Sequence, residues 1–212
     1  MPFTTATSKR IENDLGANRP FVIMLAVYAV IWTALALDPY NRFDWFLENL
    51  LVISWVVGLA ATYRRWPFSD LSYFLLFILL VLHGVGAHYT YSLVPVGFDF
   101  GDAIGETRNH YDRVIHFAFG LLIVYPFREK ILRNSDIRGF WLGFTAFCVI
   151  MTFSVSYEII EWVVAEIVEP EDAYAFLGTQ GDVFDAEKDS ALAGLGALIA
   201  LTIIPLLEKK TS

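Results

Sequence analysis

Six long apolar stretches divide this chain, at about 21–37, 46–63, 71–94, 112–127, 140–168 and 190–207. A helix takes about 20 apolar residues to cross the hydrocarbon core of a bilayer. At 56% hydrophobic residues, the chain is greasier than the ~45–50% of soluble domains. The stretches therefore read as membrane spans rather than as one large core. The expected fold is an all-α bundle of six transmembrane helices, a polytopic membrane protein with a single membrane domain over residues 1–212. The fourth stretch is short, and its span starts at Asp112 or just before. The fifth carries Glu158, Glu161 and Glu166 in its last third, so its end is expected to project beyond the hydrocarbon. Nothing in the sequence repeats or suggests a second, soluble domain.

Charge placement gives the expected orientation. Lys9, Arg10, Arg19, Arg64, Arg65, Arg128, Lys130, Arg133, Arg138, Lys209 and Lys210 fall on one side of the six-span pattern. Only Arg42, Arg108, Arg113 and Lys188 fall on the other. Lys and Arg accumulate in cytoplasmic loops. This puts both termini inside, with residues 1–20 as a cytoplasmic tail. Seventeen of the 23 Asp and Glu residues lie on the outer loops or outer helix ends. The net charge of −8 argues against nucleic acid and suits a cationic partner or a metal. The single cysteine, Cys148, permits no intramolecular disulfide and reads as a small buried hydrophobe. Ala34-Leu35-Ala36 before Asp38-Pro39 mimics a signal-peptidase site, but the apolar run is long and is expected to stay uncleaved.

A charged side chain inside a bilayer costs roughly 2.5–3.5 kcal/mol on insertion scales. Acids and histidines at membrane level therefore mark candidate chemistry. All four histidines, His83, His88, His110 and His116, lie in one stretch. Asp112 and His116 are four apart and share a helical face. One oxygen and one nitrogen at this spacing suit a divalent metal, or a carboxylate orienting an imidazole for general-base work. The plainer alternative is an acid at a helix start beside a hydrogen-bonded core histidine.

Glu158 and Glu161 lie about 60° apart on a helix and suit a metal or an acid with a raised pKa. Otherwise they are solvated acids at an interfacial helix end, anchored by Trp162. Asp182, Asp185 and Asp189 share a face if helical, or else Thr179 and Asp182 form a capping box. The acids do not follow the alternate-position pattern of an EF-hand. His83 and His88 are five apart and do not share a face. Gly84 beside His88 allows a close helix contact. His83 reads as structural, His88 as a candidate ligand or base, and His110 as a loop residue.

In the six-span topology these segments all reach the outer leaflet boundary. By contrast, residues 55–63, 71–80, 121–127, 140–150 and 198–207 carry almost no charge. A path across the bilayer needs polar stations at several depths. The pattern favours a one-sided site over a channel or transporter.

Four blocks carry a resemblance. His83–Gly97 (HGVGAHYTYSLVPVG), Arg108–Glu129 (RNHYDRVIHFAFGLLIVYPFRE), Tyr157–Trp162 (YEIIEW) and Phe176–Asp189 (FLGTQGDVFDAEKD) resemble the YjdF-like bacterial inner-membrane proteins, a domain of unknown function. That resemblance covers nearly the whole chain. It implies six spans in the bacterial inner membrane and no established activity. Spans four to six also resemble, more weakly, the VanZ-like membrane proteins. Asp112-Arg113-x-x-His116-Phe117 matches their Asp-Lys-x-x-His-Phe with Arg for Lys. Glu158-x-x-Glu161 has Glu for their Gln. Asp185-x3-Asp189 before Gly194 and Gly196 has Asp for their Asn. The two acidic replacements favour a cation at the site.

Two functions are expected. One is a metal-dependent membrane enzyme acting on a lipid or lipid-linked envelope substrate. In it, Asp112, His116, Glu158 and Asp185 hold a divalent metal ion, Asp189 or His88 serves as a further ligand or base, and Glu161 is a general acid. A bound metal lowers the pKa of its water toward neutrality. The other is non-catalytic binding of a lipid headgroup, an antibiotic or a cationic ligand by the same polar cluster.

Overall fold

The computed structural model of the protein describes residues 19–63 and 65–210. Most of the expected tail, 1–20, lies outside the described residues. Every regular element among them is a helix: α1 (Arg19–Leu35), α2 (Arg42–Thr62), α3 (Asp70–His88), α4 (Pro95–Ile104), α5 (Tyr111–Asn134), α6 (Gly139–Ala165), α7 (Pro170–Leu177) and α8 (Asp185–Lys210). Four of them, α2, α3, α6 and α8, are long and apolar enough to cross a membrane, and α1 is a shorter apolar helix. Helix α5 is as long, but Asp112 and Arg113 at one end and Arg128, Glu129 and Lys130 at the other shorten its apolar part.

Small residues set how the bundle closes. A Cβ added at Gly120 of α5 would collide with the Ala193 carbonyl and the Ala197 N–H of α8. A Cβ at Gly196 of α8 would collide with the Phe117 carbonyl and the Leu121 N–H of α5. The two backbones therefore touch, as small-residue stripes allow in membrane helices. Gly194, two residues from Gly196, faces α6, where a Cβ would lie 3.0 Å from Met151 Sδ. Helix α8 is thus wedged against both α5 and α6. Around it sits an uncharged core of Tyr73, Leu76, Ile123, Val124, Ala146, Ile150, Ala197 and Ile204.

The helices depart from the sequence expectation in three places. The third stretch, expected to span to 94, ends its helix at His88. The chain then turns through Thr90 and Tyr91, both at positive φ (52° and 51°), and the Tyr91 ring folds back onto Gly86, where it occupies the space of a Cβ. The fourth does not stop at 127 but runs on past Pro126 to Asn134. A mid-helix proline costs a backbone hydrogen bond, and contacts beyond it hold the helix. Glu129, buried, accepts from Ser69 N (2.9 Å), Ser69 Oγ (2.8 Å) and Ser72 Oγ, and pairs with Arg133 Nη2 at 2.7 Å. Lys130 Nζ sits 4.0 Å from the Phe68 ring centre and donates to the Trp66 and Pro67 carbonyls.

Third, two unexpected short helices, α4 and α7, each begin with proline in the first turn and end on a left-handed glycine, Gly105 or Gly178. Both conformations suit those residues. Cys148 is a correction: it is exposed, not buried. In a membrane bundle the outer face is as apolar as the core, so an apolar residue carries no inward signal.

Candidate metal centre

The ionisable groups converge at the end of the bundle where α2, α5 and α8 begin and α3 and α6 end. Asp112 and His116 stand one turn apart on α5. The α5–α8 glycine contact brings Asp189 of α8 beside them. These three residues each offer one ligand atom, and the atoms all lie within 4.8 Å of one another. Helix α6 adds Glu158, whose Oε1 lies 3.4 Å from His116 Nε2, while Asp112 Oδ1 lies 3.6 Å from the same nitrogen. Glu158 Oε1 and Asp189 Oδ1 are buried without a hydrogen-bond partner. Buried polar atoms are normally paired, so two unsatisfied carboxylate oxygens at one point need an account. Clustered like charges in a low dielectric repel strongly unless a proton or a cation relieves them.

The other expected residues divide. Asp185 is buried at the same end, but Arg108 Nη2 contacts its Oδ1 at 2.5 Å and Arg113 Nη2 lies at 3.7 Å. Its charge is already matched by two guanidinium groups. Asp182 lies before α8 and pairs with Arg113 and with Lys188 Nζ (2.5 Å). It also accepts from Phe184 N at 3.1 Å. The Lys188 ammonium, then the Phe184 N–H, hold its carboxyl down from the ordinary 3.8 to about 2. The expected acidic stripe is therefore split, with Asp182 and Asp185 facing arginines and Asp189 facing His116. Helix α8 starts at Asp185, so Thr179 and Asp182 do not open it as a capping box.

Glu161 stands beside Glu158 and Tyr157, in reach of the centre. His88 is not brought to it: its Nδ1 donates to the Leu35 carbonyl at 2.8 Å, tying α3 to the end of α1. His110, at the start of α5, pairs with Glu106 at 2.8 Å. The loops that carry these groups are clasped together. Asn109 N donates to Gln180 Oε1 and Gln180 Nε2 donates to the Asn109 carbonyl, both at 2.9 Å.

A neighbouring acidic layer on α2 went unread in the sequence. Glu48 accepts from Tyr157 Oη at 3.0 Å. His83 Nε2 donates to the Glu48 carbonyl at 3.2 Å, and Tyr91 Oη donates to His83 Nδ1. These contacts tie His83 of α3 to α2 and to the turn that follows α3. Asp44, one turn before Glu48, is buried with both oxygens unpartnered. Its signal was present: Asp44-x3-Glu48 opens the second apolar stretch at the spacing that singles out Asp112 and His116.

The comparisons with known proteins agree with this architecture. The profile of a family described as "Predicted membrane protein (DUF2238)" matches residues 20–210. The chain belongs to that family. It is also 38% identical over 169 residues to the inner membrane protein YjdF of Escherichia coli (strain K12), covering 79% of this chain and 80% of that protein. No solved structure matches. These matches carry the YjdF-like resemblance and add nothing for the VanZ-like one. The DUF2238 family name describes a membrane protein and assigns no activity, so function rests on the site itself.

Proposed function

We propose that this is a six-span protein of the bacterial inner membrane, with both termini cytoplasmic, that binds a divalent cation at its outer end and uses it on a lipid or lipid-linked envelope substrate. The observation that carries the reading is the meeting of Asp112, His116 and Asp189 from two helices, all ligand atoms within 4.8 Å, with Glu158 against the same imidazole. One imidazole with several carboxylates suits zinc, manganese or iron rather than a soft metal. Asp185 serves as the anchor for Arg108 and Arg113 rather than as a ligand. Bound there, the cation supplies Lewis acidity and an activated water. Glu161, beside Glu158, is placed to pass a proton to a leaving group.

The six-span reading rests on α5, whose acidic start is at the centre and whose far end is locked by Glu129. The orientation rests on the eleven Lys and Arg residues that the six-span sequence pattern assigns to the inner side. The non-catalytic alternative, a site for a cationic headgroup, draws on the Tyr157 ring, 6.1 Å from that of His116. Manganese titration of the detergent-purified protein, followed by a chelator-controlled hydrolysis screen on phospholipids and isoprenoid-linked lipids, tests both. Manganese binding with chelator-sensitive turnover supports the enzyme. Manganese binding without turnover refutes the enzyme and keeps only the cation site. No metal binding refutes the metal-dependent enzyme and favours the cationic-headgroup site.

A further inference from the structure

A cavity of about 120 Å³ lies between α2, α3, α5 and α6 and meets the metal centre at one end. Its walls change character with depth. At the mouth stand Asp112, His116, His83, Tyr91 and Tyr157; below them come Leu79, Leu80 and Ile115, then Leu76, Phe119, Phe153 and Trp55. Trp55 closes the floor, its ring 6.0 Å from that of Phe153 and 6.4 Å from that of Phe127. An apolar cavity of about 150 Å³ is large enough to hold benzene, so this one takes a short run of alkyl chain.

Two further observations point to what enters. Helix α2 packs on α3 and α7, while its backbone makes no close approach to α5 or α6. Helix α7 packs on both α2 and α6; away from α7, the side of the cavity between α2 and α6 is bridged by side chains such as Trp55 and Phe153. One turn below Tyr157 and Glu158, the Ser154 hydroxyl lines the cavity, 2% exposed and without a hydrogen-bond partner. A buried hydroxyl with no partner is rare in a native fold. It sits where the polar mouth gives way to the apolar wall, the level at which a lipid's headgroup linkage would meet its chain.

We infer that the cavity receives the first carbons of one acyl chain of a membrane phospholipid, admitted sideways between α2 and α6. Ser154 donates to the ester carbonyl, and the headgroup lies at Asp112, His116 and Glu158. This rests on the proposed reading of the centre and narrows its substrate to an ester-linked lipid that reaches the site from the bilayer.

The test uses the full-length protein in nanodiscs containing a phosphatidylethanolamine with a diazirine near the carbonyl end of one acyl chain. After irradiation, the expected result is crosslinks on the segments around Leu51–Trp55, Leu76–Leu80 and Phe153–Tyr157. Ser154→Leu and Leu80→Phe, which fill the cavity, should lose most of them. Leu198→Phe, at a residue exposed on α8, should not. Manganese content is measured on every sample. Crosslinks confined to outward residues such as Trp141 and Leu198, unchanged by the filling variants, would overturn the inference. Cavity crosslinks in a protein that binds no manganese would leave the lipid slot standing and sink the metal reading instead. Should a filling variant fail to fold, the position of the wild-type crosslinks decides.

Discussion

The close contact of α5 and α8 makes a prediction about sign. Gly58, Gly120, Gly143 and Gly196 all lie inside helices, where glycine costs about 1 kcal/mol relative to alanine. On propensity alone, alanine should stabilise at each. The surroundings differ. A Cβ at Gly58 meets nothing within 4 Å, and at Gly143 only Leu201 Cδ2 at 3.9 Å. At Gly196 it would stand 2.8 Å from Leu121 N, and at Gly120 2.9 Å from Ala197 N. Both of these neighbours are backbone atoms that cannot rotate away. The Phe117 and Ala193 carbonyl oxygens stand closer still, so reaching an ordinary contact of about 3.5 Å requires the helices to part by more than ~0.7 Å. Overpacking of this kind costs about 1–3 kcal/mol, which offsets or exceeds the propensity gain.

The same shift also reaches the proposed metal centre. Asp189 lies two turns before Gly196 on α8, and metal–ligand distances tolerate about 0.2 Å. Gly120→Ala and Gly196→Ala should therefore be less stable than Gly58→Ala and Gly143→Ala by roughly 1–3 kcal/mol. They should also bind less manganese, although no ligand has changed. Unfolding by SDS in mixed micelles, with metal content measured beside it, gives both quantities. Equal stability across the four variants would refute the backbone contact and with it the geometry of the centre.

Four further outcomes follow from the buried and paired acids. Asp185→Asn strips Arg108 of its carboxylate, while Arg113 keeps Asp182, and should cost about 3–5 kcal/mol in the same assay. Asp189→Asn should cost less stability but abolish manganese binding; a reversed order would make Asp185 the ligand. Glu129→Ala removes the acceptor for the 65–72 loop and should destabilise by about 3–5 kcal/mol with the centre's metal affinity retained in the folded fraction, checked by metal titration. For Asp182, whose carboxyl is held at about 2 against an ordinary 3.8, the stabilisation is complete above 3.8 and is lost as pH falls through about 2. Acid unfolding monitored by circular dichroism should show wild type losing stability across that window, and Asp182→Asn losing less of it.

Much of the bundle was legible because membrane burial writes long apolar runs. Charge placement put Asp112, His116 and Glu158 at one level of the bundle, but residues at one level need not touch, and their meeting was not legible in the sequence. Two kinds of information were not in the pattern. One is competition for partners. Asp182, Asp185 and Asp189 look alike in sequence, and only the positions of Arg108 and Arg113 decide which keeps a free oxygen. His88 likewise found the Leu35 carbonyl first.

The other is rotation about the helix axis. Cys148 and Ala146 stand two apart on α6, one exposed and the other in the core, because lipid and core are equally apolar. The ends of α3 and α5 were misplaced for local reasons, a Tyr91 ring folded onto Gly86 and a Glu129 clasp that outlasts Pro126. Glu48 and Asp44 show a different failure: the spacing was readable, but no histidine accompanied it.

The central claim is that three α5 and α8 side chains hold a divalent cation. Elemental analysis of the purified protein, after exposure to zinc, manganese and iron and removal of the excess, tests it most directly. Wild type is compared with His116→Ala, with folding of both verified. Near-stoichiometric metal in wild type, lost in the folded variant, is the predicted result. Equal or absent metal in the two would contradict the account and leave the acids as a proton-sharing cluster.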